Sequence, residues 1–187
     1  MVSLMSLWLP ILLSAVIVFV ASFIMHMLLS YHKSDMGKIA KEDEAMAALR
    51  PLNIPPGDYF MPHADSMKAM KDPAFLDKMK AGPVAFFTVL PSAPLSMGPS
   101  LVQWFLYCVV VSIIAAYVAG HALKPGAHYL EVFRFVGCVS FAGYALAQFQ
   151  NSIWGKRNWG TTLKYVFDGL VFGLLTAGTF GWLWPPH

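Results

Sequence analysis

Charged side chains are scarce in this sequence of 187 residues, and the shortage defines its class. Asp, Glu, Lys and Arg make up 12% of the chain, whereas hydrophobic residues make up 57%. An average soluble domain carries about 25% charged and about 45–50% apolar residues. The composition therefore excludes an ordinary soluble domain and indicates an integral membrane protein. The formal net charge of +3 is too small to favour a nucleic acid as a partner.

Cysteine is also rare, since the chain holds only Cys108 and Cys138. Both lie inside apolar runs that belong to different predicted helices, so we expect no disulfide between them. We interpret them as small packing residues, and they say nothing about the redox compartment.

Common catalytic and nucleotide-binding motifs are absent. The sequence contains no G-x-x-x-x-G-K-[ST], H-E-x-x-H, C-x-x-C or G-x-S-x-G pattern. Only His26 is predicted to lie deep enough for axial haem ligation, and one histidine is a weak signal. The sequence therefore leaves any cofactor unknown.

Long apolar runs are abundant, and four of them reach the length of about 20 residues that crosses a bilayer. They predict an all-α fold, a bundle of four transmembrane helices that forms a single membrane domain over residues 1–187. No Lys or Arg precedes the first run and no small-x-small cleavage site follows it, so we interpret it as a retained helix. The four predicted spans are 7–29, 101–123, 129–153 and 163–184.

The polar residues 31–99 separate the first span from the second. They hold eight basic and eight acidic side chains and are predicted to form short helices. The apolar part, 83–99, is interrupted by four prolines, and we expect it to lie in the membrane interface or on the bundle. Eleven of the 13 Lys and Arg residues fall in 31–99 or in 154–164. The positive-inside rule then places this insertion in the cytoplasm, with both termini outside the inner membrane.

Small residues recur every four positions along the last span. On a helix they nearly stack along one face, where the backbone of another helix can approach closely. We predict that this face packs against a neighbouring helix. Its members are Gly169, Gly173, Ala177 and Gly181.

Polar residues of three spans fall at one depth when helices are counted at about 1.5 Å per residue. This predicts a polar cluster of His26, Gln148, Asn151 and Asp168, with Lys164 one turn before the aspartate. One interpretation is a hydrogen-bonded group that fixes helix register. The other is a proton or ligand site in which His26 titrates.

Two further sets of side chains have the residue types of metal ligands. His121, His128 and Glu131 are candidates for a zinc or copper site on the outer side, or else ordinary polar helix ends. The spacing of His63, Met67 and Met70 can place them on one helical face, where thioethers suit Cu(I). The same stretch also fits an amphipathic surface helix.

The stretch 150–159 (QNSIWGKRNW) and the later Asp168-Gly169-Leu170 resemble a family of small bacterial four-helix integral membrane proteins of unknown function. In that family a short polar link with a small and a basic residue also precedes a final helix with an early aspartate and a tryptophan end. The likeness covers roughly the last 90 residues and the first span, and the long Met-rich insertion departs from it. The resemblance implies a bacterial inner membrane, and the family has no settled activity.

Three functions remain open from the sequence. The first is a non-enzymatic membrane protein, an accessory or self-associating subunit of a membrane complex, whose partners are the lipid bilayer and other subunits or itself. The second is a small proton-coupled transporter that uses His26 and Asp168. The third is a membrane metal-binding protein or enzyme built on His63, His121 and His128.

Overall fold

The computed structural model describes residues 1–186, and these form two compact units. One unit comprises residues 1–36 and 96–186, and the other comprises residues 37–95. The helices are α1 (Trp8–Phe23), α2 (Glu42–Leu49), α3 (Pro73–Ala81), α4 (Met97–Ala122), α5 (Tyr129–Ala145), α6 (Phe149–Ile153) and α7 (Trp159–Trp182). The strands are β1 (Gly57–Met61) and β2 (Ala85–Val89).

The first unit contains four helices that are long and apolar enough to cross a membrane. They are Leu4–Leu28, which includes α1; α4; Tyr129–Ile153, which joins α5 and α6 through a short 3₁₀ turn; and α7. Mean hydropathy falls from 2.6 in the first to 1.2 in the last. The chain is therefore mostly helical, as a membrane protein of this composition is expected to be.

Local side chains set where the last two long helices begin. At the start of α5 the His128 amide donates to Glu131 Oε2 at 3.3 Å, and the Leu130 amide donates to His128 Nδ1 at 3.3 Å, which together resemble a capping box. The side chain of Asn158 accepts a hydrogen bond from the Gly160 amide at 2.7 Å, so α7 begins at Trp159 and not near residue 163.

Helix α7 lies very close to α5 because its facing residues are small. A Cβ added at Gly169 would lie 2.8 Å from the Ala145 Cβ, and one at Gly173 would lie 3.1 Å from the Phe141 amide nitrogen. Ala177 is fully buried, and a Cβ on Gly137 of α5 would meet it at 3.3 Å. Gly181 faces the Tyr129 ring. The two backbones can approach to this distance only where side chains are absent or minimal.

The interior of this unit is apolar along most of its length. One buried cluster includes Leu7, Val132 and Phe180, and a second includes Val18, Cys108 and Phe172. Apart from Asp168, the polar side chains in the buried set of residues 1–186 are serines and threonines. One such pair is Ser14 and Ser112, whose hydroxyl oxygens lie 3.0 Å apart.

The second unit corrects the all-α prediction, because it contains a small antiparallel sheet. β1 pairs with β2 so that Tyr59 faces Phe87 and Phe60 faces Phe86, with ring centroids 5.5 and 4.4 Å apart. Phe, Thr and Val favour a strand, and cross-strand aromatic pairs stabilise it. The apolar part of the insertion therefore provides a strand at 85–89. No residue of 37–95 is fully buried.

Candidate functional site

The end of the first membrane helix folds back toward α7 through two local departures from α-helical geometry. Residues Ile24–Leu28 form a wider π turn, closed by the Leu29 amide donating to the Ile24 carbonyl at 3.1 Å. A 3₁₀ turn at Tyr31–Ser34 follows. Wider π turns are frequent at functional sites because they redirect side chains. Here the two turns bring His26, Tyr31 and His32 to the same carboxylate.

That carboxylate belongs to Asp168, nine residues into α7 and about 14 Å along its axis from the helix start. The Tyr31 hydroxyl donates to Asp168 Oδ1. His32 Nε2 lies 2.9 Å from Asp168 Oδ2, and His26 Nε2 lies 3.8 Å from the same oxygen. The Asp168 side chain is only 2% exposed. A buried carboxylate is costly unless donors or charges surround it, and the Tyr31 hydroxyl and the His32 imidazole are its hydrogen-bond partners.

A second carboxylate, Asp35, extends the network on the other side of His32. Asp35 Oδ2 lies 2.6 Å from His32 Nδ1, and Asp35 Oδ1 accepts from Lys164 Nζ at 2.8 Å. Lys164 also donates to the Tyr31 carbonyl at 2.6 Å and to the Ser34 hydroxyl at 2.8 Å. We call the six side chains His26, Tyr31, His32, Asp35, Lys164 and Asp168 the boundary cluster, because they lie where the first membrane helix ends.

Two groups of the boundary cluster that lie outside the membrane-spanning segments have shifted pKa values. Burial by itself would raise the pKa of Asp35, but the hydrogen bonds and charges of Lys164 and His32 outweigh it, so the pKa is lowered. Burial, the hydrogen bond to Asp168 and the nearby negative charges all raise the pKa of Tyr31. At neutral pH Asp35 is therefore charged, and Tyr31 is a neutral hydrogen-bond donor.

Aromatic rings enclose the cluster. The rings of His26 and His32 are stacked, with centroids 4.2 Å apart and planes 8° from parallel. Tyr165 packs against both imidazoles, and the Arg157 guanidinium lies 4.5 Å from the Tyr165 ring centroid. Of the two histidines, His26 is the more open, with 35% of its side chain exposed against 8% for His32.

The structure brings only part of the predicted polar cluster together. Gln148 and Asn151 bond to each other at 3.0 Å, and within residues 1–186 neither makes a hydrogen bond to His26, Lys164 or Asp168. The 3₁₀ turn at Leu146–Gln148 interrupts the third long helix and changes the direction of the side chains that follow. Lys164 pairs with Asp35, not with Asp168.

Within residues 1–186 the predicted ligands His121, His128 and Glu131 do not bring their ligand atoms together as a group of three. His121 Nδ1 faces the Tyr117 carbonyl at 2.8 Å, while His128 and Glu131 cap α5. In the second unit His63 lies 3.7 Å from Asp65 on the exposed surface. Met67 and Met70 are exposed too, and from His63 to Met70 the chain forms bends, a turn and the start of a 3₁₀ turn, so it has no continuous helical face.

In the described part of the chain, one group of three His, Cys, Asp or Glu side chains places its ligand atoms within 4.8 Å of one another, namely His26, His32 and Asp168. Sequence reasoning reached His26 and Asp168 but not His32, Tyr31 or Asp35. The available signal was the His32–Asp35 spacing of three residues directly after a predicted span. The arrangement can hold a cation or a proton between two imidazoles and a carboxylate, and it contains no activated nucleophile.

Comparison with protein-family models, with curated proteins and with solved structures finds no match for this chain.

Proposed function

We propose that the chain is a non-enzymatic, self-associating subunit in the bacterial inner membrane. In this proposal the four long helices form a transmembrane bundle. Residues 37–95 lie in the cytoplasm, and both termini lie outside. The excess of Lys and Arg in 31–99 and 154–164 supports that orientation.

The main support for the proposal is a charged side chain that is exposed on the surface of a long apolar helix. Arg134 lies five residues inside the span Tyr129–Ile153 and is exposed. Within residues 1–186 it makes no hydrogen bond or ion pair. Charged side chains in membrane segments usually face a bundle interior and pair there. An outward Arg134 therefore favours a partner that covers it.

The same helix face provides the complementary charge, which favours a second copy of this chain. Glu131 is exposed and lies three residues before Arg134, so the two side chains are neighbours on one face. Two α5 helices related by a two-fold axis can pair Arg134 of each copy with Glu131 of the other. Snorkelling of Arg134 to the interface is the competing explanation, and it requires no partner.

Transport receives less support from this arrangement. A proton-coupled carrier needs polar side chains through the bundle, whereas beyond the boundary cluster the described interior holds apolar clusters with isolated serines and threonines. The cluster lies at one end of the helices. We therefore rank the carrier below the subunit.

A charge swap tests the proposal. The full chain, purified in mild detergent and reconstituted in lipid nanodiscs of defined size, is weighed by native mass spectrometry. We expect wild type to be a dimer or higher oligomer. Arg134→Glu should shift it toward monomer, because like charges then face each other. The double variant Glu131→Arg/Arg134→Glu should recover the oligomer.

Arg134→Lys distinguishes pairing from snorkelling, because a lysine also snorkels but pairs less well with a carboxylate. If Arg134 pairs with a second copy, the lysine variant should form less oligomer than wild type. If Arg134 only snorkels, the two should have the same oligomeric mass. A monomeric wild type, or an oligomer that Arg134→Glu leaves unchanged, contradicts the proposal. Co-purification of a different protein that the swap displaces would replace self-association with an accessory role.

A further inference from the structure

Three ligand atoms of the boundary cluster converge on one point. His32 Nε2 is 2.9 Å and His26 Nε2 is 3.8 Å from Asp168 Oδ2, and all three lie within 4.8 Å of one another. A tetrahedral ion bound at about 2.0–2.1 Å keeps its ligands about 3.3 Å apart. The His32–Asp168 and His26–Asp168 distances would each change by about half an ångström to reach that spacing. The two imidazole rings, stacked with planes 8° from parallel, would tilt so that both Nε2 lone pairs point at one ion.

The Nδ1 atom of each ring already has a hydrogen-bond partner, which leaves the Nε2 atoms for an ion. His26 Nδ1 faces the Ser22 carbonyl at 3.0 Å, and a carbonyl can only accept, so this nitrogen carries the proton. A neutral His26 therefore presents the Nε2 lone pair toward Asp168. His32 Nδ1 faces the Asp35 carboxylate at 2.6 Å. Metal-binding histidines almost always donate their second nitrogen to a carbonyl or a carboxylate in this way.

The charges of the cluster favour a cation between the three atoms. The Tyr31 hydroxyl occupies Asp168 Oδ1 and leaves Oδ2 for the shared point. Lys164 is bonded to Asp35, so its charge is taken up by the second carboxylate. A lone pair of His26 and a carboxylate oxygen 3.8 Å apart repel each other unless a proton or a metal ion lies between them. His26 is partly exposed, which provides an entry path and room for a water ligand.

We propose that His26, His32 and Asp168 bind one divalent transition-metal ion, with zinc as the best match. Two imidazoles and one carboxylate with an open fourth position form a ligand set that zinc uses. Ca²⁺ and Mg²⁺ prefer oxygen ligands throughout, and Cu(I) prefers thiolates and thioethers. Fe²⁺ accepts the same donors, so elemental analysis distinguishes it from zinc. The ion bridges the end of the first membrane helix to α7, independently of self-association.

The experiment titrates Zn²⁺ into the full chain in detergent after chelation and dialysis, with a competing chromophoric chelator as the readout. We expect one Zn²⁺ per chain. His26→Gln and His32→Gln should weaken binding by about 100-fold or more. Asp35→Asn replaces the carboxylate that bonds His32 Nδ1 and Lys164, and it should weaken binding by about 10–100-fold. His63→Gln and His121→Gln are matched controls that should bind as wild type does.

Two measurements keep the test decisive if a variant fails to fold. His26→Gln must keep the wild-type thermal midpoint in EDTA, since its side chain is partly exposed. X-ray absorption of the zinc-loaded wild type must show two imidazoles among nitrogen and oxygen ligands. Less than a tenth of an equivalent of metal, sulfur ligation, or loss of binding in His63→Gln or His121→Gln would each overturn the proposal.

Discussion

Asp168 is the central side chain of the boundary cluster, because it is a carboxylate with almost no exposure. A buried charge costs several kcal/mol unless it is compensated. Here the compensation comes from the Tyr31 hydroxyl and the His32 imidazole. Tyr31 is the simpler of the two to test, since it bonds the oxygen that lies away from the histidines.

Tyr31→Phe should therefore destabilise the membrane unit. It removes the donor to Asp168 Oδ1 and leaves a buried carboxylate oxygen without a partner, a loss of about 1–3 kcal/mol. The measurement is the thermal midpoint of the full chain in detergent with EDTA present. Tyr117→Phe is the control, because Tyr117 is exposed and its hydroxyl makes no hydrogen bond within residues 1–186. Equal midpoints for the two variants would show that the Tyr31 hydroxyl contributes nothing.

Only part of this cluster was accessible to sequence reasoning, for a geometric reason. Counting residues at a constant rise placed His26 and Asp168 at one depth, and their side chains lie 3.8 Å apart. The same counting fails once a helix ends. His32 and Asp35 follow a π turn and a 3₁₀ turn, whose direction depends on contacts with α7 that no local pattern encodes. Gln148 was displaced by a similar interruption.

At the scale of elements, the α5–α7 pair is the most extensive helix contact in the first unit. Its spacing is set by residues without side-chain bulk on both helices, such as Gly169 against Ala145 and Ala177 against Gly137. Because lipid tails are as apolar as leucine, close packing, not water exclusion, holds such helices together. A methyl group in the contact should therefore have a measurable effect.

Gly169→Ala should lower the free energy of unfolding by about 1–3 kcal/mol, the usual cost of overpacking. The new Cβ would lie 2.8 Å from the Ala145 Cβ and 3.0 Å from the Tyr144 carbonyl carbon, so backbone must move. Gly178→Ala on the same helix is the matched control, since its Cβ meets only the Tyr129 hydroxyl at an ordinary 3.6 Å. The control should be neutral or slightly stabilising, because alanine favours helix.

The readout for both variants is unfolding in an SDS titration followed by circular dichroism. If Gly169→Ala and Gly178→Ala have the same free energy of unfolding, α5 and α7 do not pack as closely at Gly169 as the structure shows.

The sequence predicts the long helices better than it predicts the helix starts or the strands. The four apolar helices are a composition and length signal, and this signal is strong because each covers at least 24 residues. Helix starts depend on single side chains such as Asn158, and several residues there can serve as caps. The β1–β2 pair joins segments about 25 residues apart, so its apolar strand looked like a broken interfacial stretch.

At the scale of the whole molecule, the two units differ in amino-acid composition. Residues 1–36 with 96–186 carry the apolar helices and the buried core, while residues 37–95 contribute no fully buried residue. We propose, from the distribution of Lys and Arg, that the second unit lies in the cytoplasm. The boundary cluster then belongs to the cytoplasmic ends of the helices, where a soluble metal ion can reach it.

Sidedness of the loops tests the four-span account most directly. In a Cys108→Ala/Cys138→Ala background, single cysteines are introduced as Ser66→Cys in the second unit and as Lys124→Cys in the link between α4 and α5. A membrane-impermeant maleimide is then applied to bacterial spheroplasts. We predict that Lys124→Cys is labelled at once, whereas Ser66→Cys is labelled only after the membrane is permeabilised. Labelling of both cysteines from the same side would contradict a membrane crossing by α4 and, with it, the account of four crossings.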